Sequence, residues 1–334
     1  MVLSHHCLNC ASNETDCFRE NCITANGHQR PIRVVNRMLP GPKIQVCLND
    51  EIIVNVKNKL NSFESTTIHW HGVKMFKKNH FDGVAMLTQC PIISHTSFQY
   101  RFKAIDRGTH MWHSHAASQR ADGLAGALII REANDVHSKL YDYDLSEHVI
   151  VLNDWTDDIL LVKEIKFLYS KGDEIIDGIL INGKGVEIKE MKNNNMPRSV
   201  FNVDSGKSYR FRVINAGVQY CPLELSIEEH NLTIISTDGN PIQPVDVKSF
   251  FIMSGERVDF VLNASQNINK NYWIKVKGHA DCYEIDGFNV TKIYQTAVLK
   301  YNNLKNDLPQ KEINYENSGP DPKNVNINYF IISV

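Results

Sequence analysis

Two short histidine motifs carry the strongest chemical signal in this chain. They are His69-Trp70-His71-Gly72 and His113-Ser114-His115, and both contain the pattern His-x-His. Successive side chains of a β-strand point to opposite faces, so residues two apart share a face. Neutral imidazole is a preferred ligand for copper, zinc, iron and nickel. The two motifs therefore predict a metal cluster that could hold more than one ion, with four ligands: His69, His71, His113 and His115.

The elements that position these histidines are predicted to be strands. Short segments of alternating polarity lie between turns, and few segments have a helical period. The segments from Ser208 to Val213 and from Arg257 to Phe260 alternate cleanly, with the Val, Tyr and Phe content that is typical of half-buried strands. The chain is therefore predicted to be all-β.

An internal repeat supports a duplicated β-sandwich. The segments from Val46 to Asn58 and from Val203 to Asn215 share their length, their alternation and their terminal Asn. The turn position holds Asn49 in the first copy and Gly206 in the second, and these two residue types best tolerate a positive φ. The shared turn and terminal Asn favour duplication over chance similarity of two amphipathic strands.

The residues around the histidine motifs resemble the first domain of a multicopper oxidase. The resemblance is carried by Thr67-Ile68-His69-Trp70-His71-Gly72, Asp82-Gly83-Val84, Thr88-Gln89-Cys90-Pro91-Ile92, Gly108-Thr109-His110-Met111-Trp112-His113-Ser114-His115 and Gln119-Arg120-Ala121-Asp122-Gly123-Leu124-Ala125-Gly126. Two further segments are similar to the laccases: Asn36-Arg37-Met38-Leu39-Pro40-Gly41-Pro42 and Leu180-Ile181-Asn182-Gly183-Lys184-Gly185. The cysteine-rich start resembles the arthropod branch of that group.

This resemblance implies two consecutive cupredoxin-like, Greek-key β-sandwich domains. We expect a Cys-rich amino-terminal segment at 1–24, the first domain with its copper ligands at 25–140, and the second at 146–302. Residues 303–334, rich in Asn, Lys, Asp and Pro, are expected to be a linker toward a third domain that the sequence lacks.

The resemblance also implies roles for the four histidines. His69 would bind the type 2 copper, and His71, His113 and His115 would bind the type 3 pair. The family completes its trinuclear cluster and its type 1 site with further histidines and a His-Cys-His motif. That motif does not occur in this sequence, so the chain alone is expected to be inactive as an oxidase.

Two carboxylates are further candidates. Asp82 is expected to act in catalysis by orienting water or delivering protons near the cluster, although Asp-Gly is also a common turn dipeptide. Asp177 matches an acidic position that contacts phenolic substrates in some laccases. His110 fits neither histidine pair, because it lies an odd number of residues from His113 and on the opposite strand face.

The function that these features predict is a laccase-like oxidation of phenols, catechols or aromatic amines. Copper would be the cofactor, and O2 would be reduced by four electrons to water. Two alternatives stay open: a ferroxidase of the same family, and a non-catalytic copper-binding module if the chain truly ends at Val334.

Bulk composition narrows the class of partners. The formal net charge is −2, with acidic and basic residues interspersed, so no nucleic-acid or anionic-membrane partner is indicated. Four of the eight cysteines lie between Cys7 and Cys22, which favours a disulfide-stapled segment over a small zinc site. A bridge between Cys221 and Cys282 is expected in the second half.

Localisation is predicted to be extracellular. Four Asn-x-Ser/Thr sequons indicate glycosylation during secretion, at Asn13, Asn231, Asn263 and Asn289. Residues 1–6 contain no apolar stretch long enough for a signal peptide, and no apolar run is long enough to span a membrane.

Overall fold

The structure is a computed structural model of the chain. It describes residues 2–3, 7, 10, 13–20, 22–60, 63–170, 176–186, 196–218, 222–279, 284–286, 289–291, 293–302, 304 and 308–309. Its strands are β1 Val2–Leu3, β2 Pro31–Ile32, β3 Ile44–Cys47, β4 Glu51–Lys57, β5 Ile68–His71, β6 Ser97–Lys103, β7 Gly108–Ser114, β8 Ala125–Arg131, β9 Val149–Trp155, β10 Gly178–Ile181, β11 Val200–Val203, β12 Ser208–Asn215, β13 Leu223–Ile227, β14 Leu232–Thr237, β15 Asn240–Val247, β16 Ser249–Ile252, β17 Arg257–Asn263, β18 Tyr272–Gly278, β19 Glu284–Asp286, β20 Asn289–Thr291 and β21 Tyr294–Tyr301. The helical elements are α1 Leu160–Ser170 and the short 3-10 helices Glu14–Phe18, Asn79–Phe81 and Ser146–His148.

The first sandwich is built from β3 to β8. One sheet has the order β3-β8-β7-β5, and β4 pairs with β6 in the other. The side chains between the sheets form an apolar core that includes Trp70, Tyr100, Phe102, Trp112 and Leu128. This core holds the strands that carry both histidine motifs.

The second sandwich contains a six-stranded sheet, β10-β9-β12-β17-β14-β15, and a five-stranded sheet, β11-β21-β18-β13-β16. Its core is the larger of the two, and the rings of Phe211 and Phe260 stack within it at a centroid distance of 5.2 Å. The all-β prediction is confirmed, since α1 is the one α-helix among the described residues.

The predicted repeat is present in the backbone. Asn49 and Gly206 both adopt a φ of 76°. Each amide donates to the carbonyl of an equivalent alanine: Asn49 to Ala104 at 2.7 Å, and Gly206 to Ala264 at 2.8 Å. The strand before each turn pairs in parallel with the last strand of its sandwich, β3 with β8 and β11 with β21. The two copies therefore share one folding pattern.

The Asn that ends the repeat has the same role in both copies. Asn58 and Asn215 are buried, and the side-chain oxygen of each accepts from the amide two residues further on. Their side-chain amides donate to the carbonyls of Ile92 and Ile252 respectively. Each Asn thus ties the end of its strand to a neighbouring loop.

The two sandwiches meet across a buried polar contact. Thr109 on β7 donates to Asp259 at 2.6 Å and accepts from Arg212 at 2.8 Å. Arg210 and Arg212 both pair with Asp259. The prediction that this part of β12 is half-buried is wrong, because its arginine-bearing face packs against the first sandwich and is buried as well.

The amino-terminal segment is stapled by disulfides, as predicted. Cys7 is bonded to Cys22 and Cys10 to Cys17, so these sulfurs do not form a zinc site. Cys221 and Cys282 lie outside the described residues. So does nearly all of the predicted linker at 303–334.

Three of the predicted glycosylation sites are exposed: Asn13, Asn231 and Asn263. The fourth, Asn289, lies in β20. In the part of the chain that the structure describes, no helix has the length and apolar character needed to cross a membrane.

Candidate metal centre

Strands β5 and β7 pair so that the two histidine motifs lie side by side. His69 is directly opposite His113, and Trp70 is opposite Trp112. Because neighbouring residues alternate between faces, the tryptophans point into the first core while the histidines share the other face. The tertiary fold therefore joins the two motifs as their spacing predicts.

All four predicted ligands come together. The ligand atoms of His69, His71 and His113 lie within 4.8 Å of one another, with no acidic group among them. The ring of His69 is 5.7 Å from that of His71 and 5.3 Å from that of His113, between centroids. His115 is more exposed, and its ring lies 5.6 Å from that of His69.

Backbone carbonyls select the nitrogens that face the cluster. Nδ1 of His69 lies 2.7 Å from the carbonyl of Asp82, and Nδ1 of His113 lies 2.8 Å from that of Ser114. A carbonyl only accepts, so we assign the proton to Nδ1 in both rings, which leaves each Nε2 as a lone-pair donor. Nδ1 of His71 lies 3.4 Å from Nε2 of His113. These nitrogens are arranged to donate to a cation.

The surroundings keep the imidazoles neutral. Burial lowers the pKa of His71 to about 3, and the positive charges of Arg257 and Arg120 act in the same direction. Burial and then Arg120 lower the pKa of His113 well below its ordinary value. Burial also lowers the pKa of His69. Metals bind the neutral imidazole, so this nitrogen donor set fits copper without a preceding loss of protons.

A hydrogen-bond chain supports the second motif from behind. The hydroxyl of Ser114 donates to the side-chain oxygen of Gln119 at 2.7 Å. The amide of Gln119 donates to Glu64 at 3.3 Å, and Glu64 forms a two-point ion pair with Arg33. Ser114 lies between His113 and His115, so this chain fixes the backbone that carries both ligands.

The tryptophans wall the site on its core side. Trp70 and Trp112 are nearly completely buried, and the indole nitrogen of Trp112 donates to the carbonyl of Pro42 at 3.0 Å. A Cβ on Gly126 would lie 2.5 Å from Cζ2 of Trp112. The glycine therefore leaves the space that the indole fills.

The other predicted residues fall at different distances from the cluster. One carboxylate oxygen of Asp82 lies 3.4 Å from Nδ1 of His69, so Asp82 contacts a ligand ring through both its carbonyl and its side chain. The carboxylate of Asp177 instead accepts from Lys163 and from the backbone of Asp157. Nε2 of His110 faces the carbonyl oxygens of Asp106 and Arg107, in line with its predicted exclusion from the pairs.

Sequence reasoning missed three residues that border the site. Arg120 is half-buried, and its guanidinium donates to the carbonyl of Ala216; burial lowers its pKa to about 10. Gly255 and Arg257 come from the second sandwich. Arg120 lies within a segment that carried the family resemblance, which was a usable signal. Gly255 and Arg257 lie far from both motifs in sequence, with no local pattern to reveal them.

The fold and the site define a protein class: a double β-sandwich with a cluster of histidines on the first sandwich. The chain matches family models described as multicopper oxidase at residues 17–135 and again at residues 146–304. The chain belongs to the multicopper oxidase family. Copper is the cofactor that this membership implies, and the nitrogen donors described above fit it.

Several curated relatives are named laccases. Laccase-4 of Thanatephorus cucumeris is 38% identical over 302 residues, which cover 87% of this chain and 55% of the relative. The laccase of Trametes maxima is 35% identical over 280 residues, covering 83% and 53%. The chain thus spans about half the length of these relatives.

A solved laccase structure is similar to this chain in fold. The crystal structure of the laccase from Botrytis aclada is 30% identical and superposes with a TM-score of 0.74. The match covers 87% of this chain and 52% of that one. The similarity therefore extends over most of the chain.

Proposed function

We propose that this chain is the copper-binding amino-terminal part of a laccase-like oxidase, which oxidises phenols, catechols or aromatic amines and reduces O2 to water. The observation that carries the proposal is the cluster of three ligand nitrogens, from His69, His71 and His113, within 4.8 Å. The laccase relatives support the class of substrate.

The ligand roles follow the family pattern. His69 serves the type 2 copper, and His71, His113 and His115 serve the type 3 pair. Copper bound at such a centre supplies the one-electron steps that O2 reduction needs. The remaining ligands and the type 1 site are proposed to come from a third cupredoxin domain, in keeping with relatives about twice as long.

The residues of this chain supply orientation and proton handling. The carbonyl of Asp82 holds the proton of His69 on Nδ1 and so keeps Nε2 available. The carboxylate of Asp82, 3.4 Å from the same nitrogen, is proposed to hold protons for the reduction of O2. Trp70 and Trp112 exclude water on the core side. Asp177 is proposed to contact the phenolic substrate, which requires its ion pair with Lys163 to open.

The remaining sequence predictions complete this proposal. The domains are 25–140 and 146–302, flanked by the Cys-rich segment at 1–24 and the linker at 303–334. The protein is extracellular and glycosylated at four sites: Asn13, Asn231, Asn263 and Asn289. The exposure of the first three supports modification there.

The test has two arms. Copper per chain is measured by elemental analysis on this 334-residue chain, wild type against a His71→Ala, His113→Ala double variant; we expect bound copper in the wild type alone. O2 uptake is then measured with the product of the whole gene, using a catechol or Fe(II) as the electron donor.

The outcomes separate the alternatives. Uptake with catechol supports the laccase-like activity, whereas uptake with Fe(II) alone would identify a ferroxidase. Copper binding with neither uptake would leave a non-catalytic copper-binding module. Equal copper in the wild type and the double variant would overturn the site itself.

A further inference from the structure

Glycines allow the second sandwich to approach the candidate metal centre closely. A Cβ on Gly72, directly after His71, would lie 2.5 Å from Nη2 of Arg257. A Cβ on Gly255 would lie 3.1 Å from Cε1 of His71, tighter than ordinary van der Waals contact. The ring of His71 therefore rests against the backbone of the second sandwich.

Arg257 ties this contact to the strand that bears the second motif. Its Nη1 donates to the carbonyl of Gly255 at 2.7 Å, and its Nε donates to the carbonyl of Thr109 at 3.2 Å. Asp238 pairs with the same guanidinium at 2.8 Å. A single buried side chain thus connects the turn at Gly255 to β7, which carries His113.

We infer that Gly255 and Arg257 are positioning residues of the copper centre: they hold the ring of His71 so that its Nδ1 stays beside Nε2 of His113. The second sandwich is then part of the metal site rather than a spacer. This inference rests on the proposed copper site and concerns which residues of the second sandwich orient the ring of His71.

The chain offers a matched control for Gly255. Gly206 also has a positive φ, 76° against 88°, but a Cβ placed on it would meet nothing within 4 Å. Alanine at either position strains the backbone in the same way. Only alanine at position 255 also presses on His71, so the difference between the variants isolates the contact.

The experiment is a Cu(II) titration of the 334-residue chain, with copper sulfate as the probe. We expect Gly255→Ala to weaken copper affinity by about tenfold and Gly206→Ala to change it by less than about twofold, because partners that orient a ligand typically contribute about 10- to 100-fold. A second readout needs no metal: the imidazole nitrogen shifts of His71 in NMR spectra should move in Gly255→Ala and stay unchanged in Gly206→Ala.

A second variant covers a failure of Gly255→Ala to fold, which circular dichroism would show. Arg257→Lys keeps the charge but removes the guanidinium that contacts Thr109, Gly255 and Asp238 at the same time. Its control is Arg101→Lys, at an exposed arginine paired with Glu51. We expect about tenfold weaker copper binding for Arg257→Lys and no change for the control.

The results distinguish the positioning role of Gly255 and Arg257 from the copper site itself. Equal affinities for Gly255→Ala and Gly206→Ala, or for Arg257→Lys and Arg101→Lys if the first pair is unusable, would overturn the inference while leaving the site intact. Unchanged affinity in His71→Ala would instead contradict the proposed copper site. Weakening in His71→Ala, Gly255→Ala and Arg257→Lys together supports both.

Discussion

The two sandwiches place polar groups on corresponding strand pairs of equivalent sheets, with opposite results. The sheet β3-β8-β7-β5 corresponds strand by strand to β11-β21-β18-β13. In the first, paired strands present His69 opposite His113. In the second, Glu224 on β13 is opposite Lys277 of β18, and its carboxylate lies 2.8 Å from Nε2 of His279, which follows β18 directly; both side chains are buried.

The difference supports the proposed metal site at the first position. In the second sandwich an acid and a base satisfy each other, so that pair needs no ligand. In the first sandwich the ligand atoms of His69, His71 and His113 lie within 4.8 Å of one another with no carboxylate in that group, and Asp82 contacts Nδ1 of His69. The nitrogens of these three rings that face one another are therefore available to bind a cation.

The largest expected effect comes from removing a ligand. His113→Ala should weaken copper binding by more than about 100-fold, beyond the range of outer-shell partners, since the buried nitrogen donor itself is lost. His279→Ala is the matched change in the second sandwich and should leave copper affinity unchanged. A loss of affinity in His279→Ala, measured by the same titration, would contradict the contrast between the sandwiches.

The next effect is on stability. His279→Ala should lower the free energy of unfolding by about 3 kcal/mol, because the buried carboxylate of Glu224 loses its hydrogen bond to the imidazole. The measurement is equilibrium urea unfolding. Glu229→Gln, which breaks an exposed pair with Lys270, should cost less than about 1 kcal/mol. Similar losses in the two variants would show that the buried pair is not special.

The same pair predicts a pH dependence. Burial raises the pKa of Glu224, but hydrogen bonds from His279 and Ser249 and the charge of His279 outweigh it, so the folded-state pKa lies below the ordinary 4.5. Its contribution to stability is therefore present above pH 4.5 and lost as pH falls through the lower folded-state value. The stability difference between the wild type and Glu224→Gln should shrink in that acid range. A difference that stays constant there would contradict the assignment.

The smallest effect concerns the buried Asn that ends the repeat in both sandwiches. Asn58→Ala and Asn215→Ala should each lower the free energy of unfolding by about 2 kcal/mol, because each leaves backbone groups without partners. If the two Asn residues contribute equally to the stability of their sandwiches, the two losses in the free energy of unfolding should agree within about 0.5 kcal/mol. If the two copies have diverged in this role, urea unfolding of the two variants would give clearly different losses in the free energy of unfolding.

Local patterns in the sequence predicted much of this structure. The His-x-His spacing placed the four ligands on shared strand faces because the strand period is strictly local. Asn49 and Gly206 were identified as turn residues because few residue types accept a positive φ. In each case the information lies within a few residues of the feature it determines.

What the sequence did not reveal depends on contacts between distant segments. Arg212 belongs to a segment that alternates like a half-buried strand, and only docking against Thr109 explains why its polar face is buried. Gly255 and Arg257 border His71 because two sandwiches meet there, and no local spacing encodes that meeting. The contact of Glu224 with His279 likewise joins two residues that are 55 positions apart in sequence.

The most direct test of the proposed copper site is to measure Cu(II) binding to the chain by equilibrium dialysis and by electron paramagnetic resonance. We expect at least one bound Cu(II) with hyperfine coupling to imidazole nitrogen, and its loss in the triple variant His69→Ala, His71→Ala, His113→Ala. Equal copper binding with the same nitrogen coupling in that triple variant, or no binding by the wild type, would contradict the account.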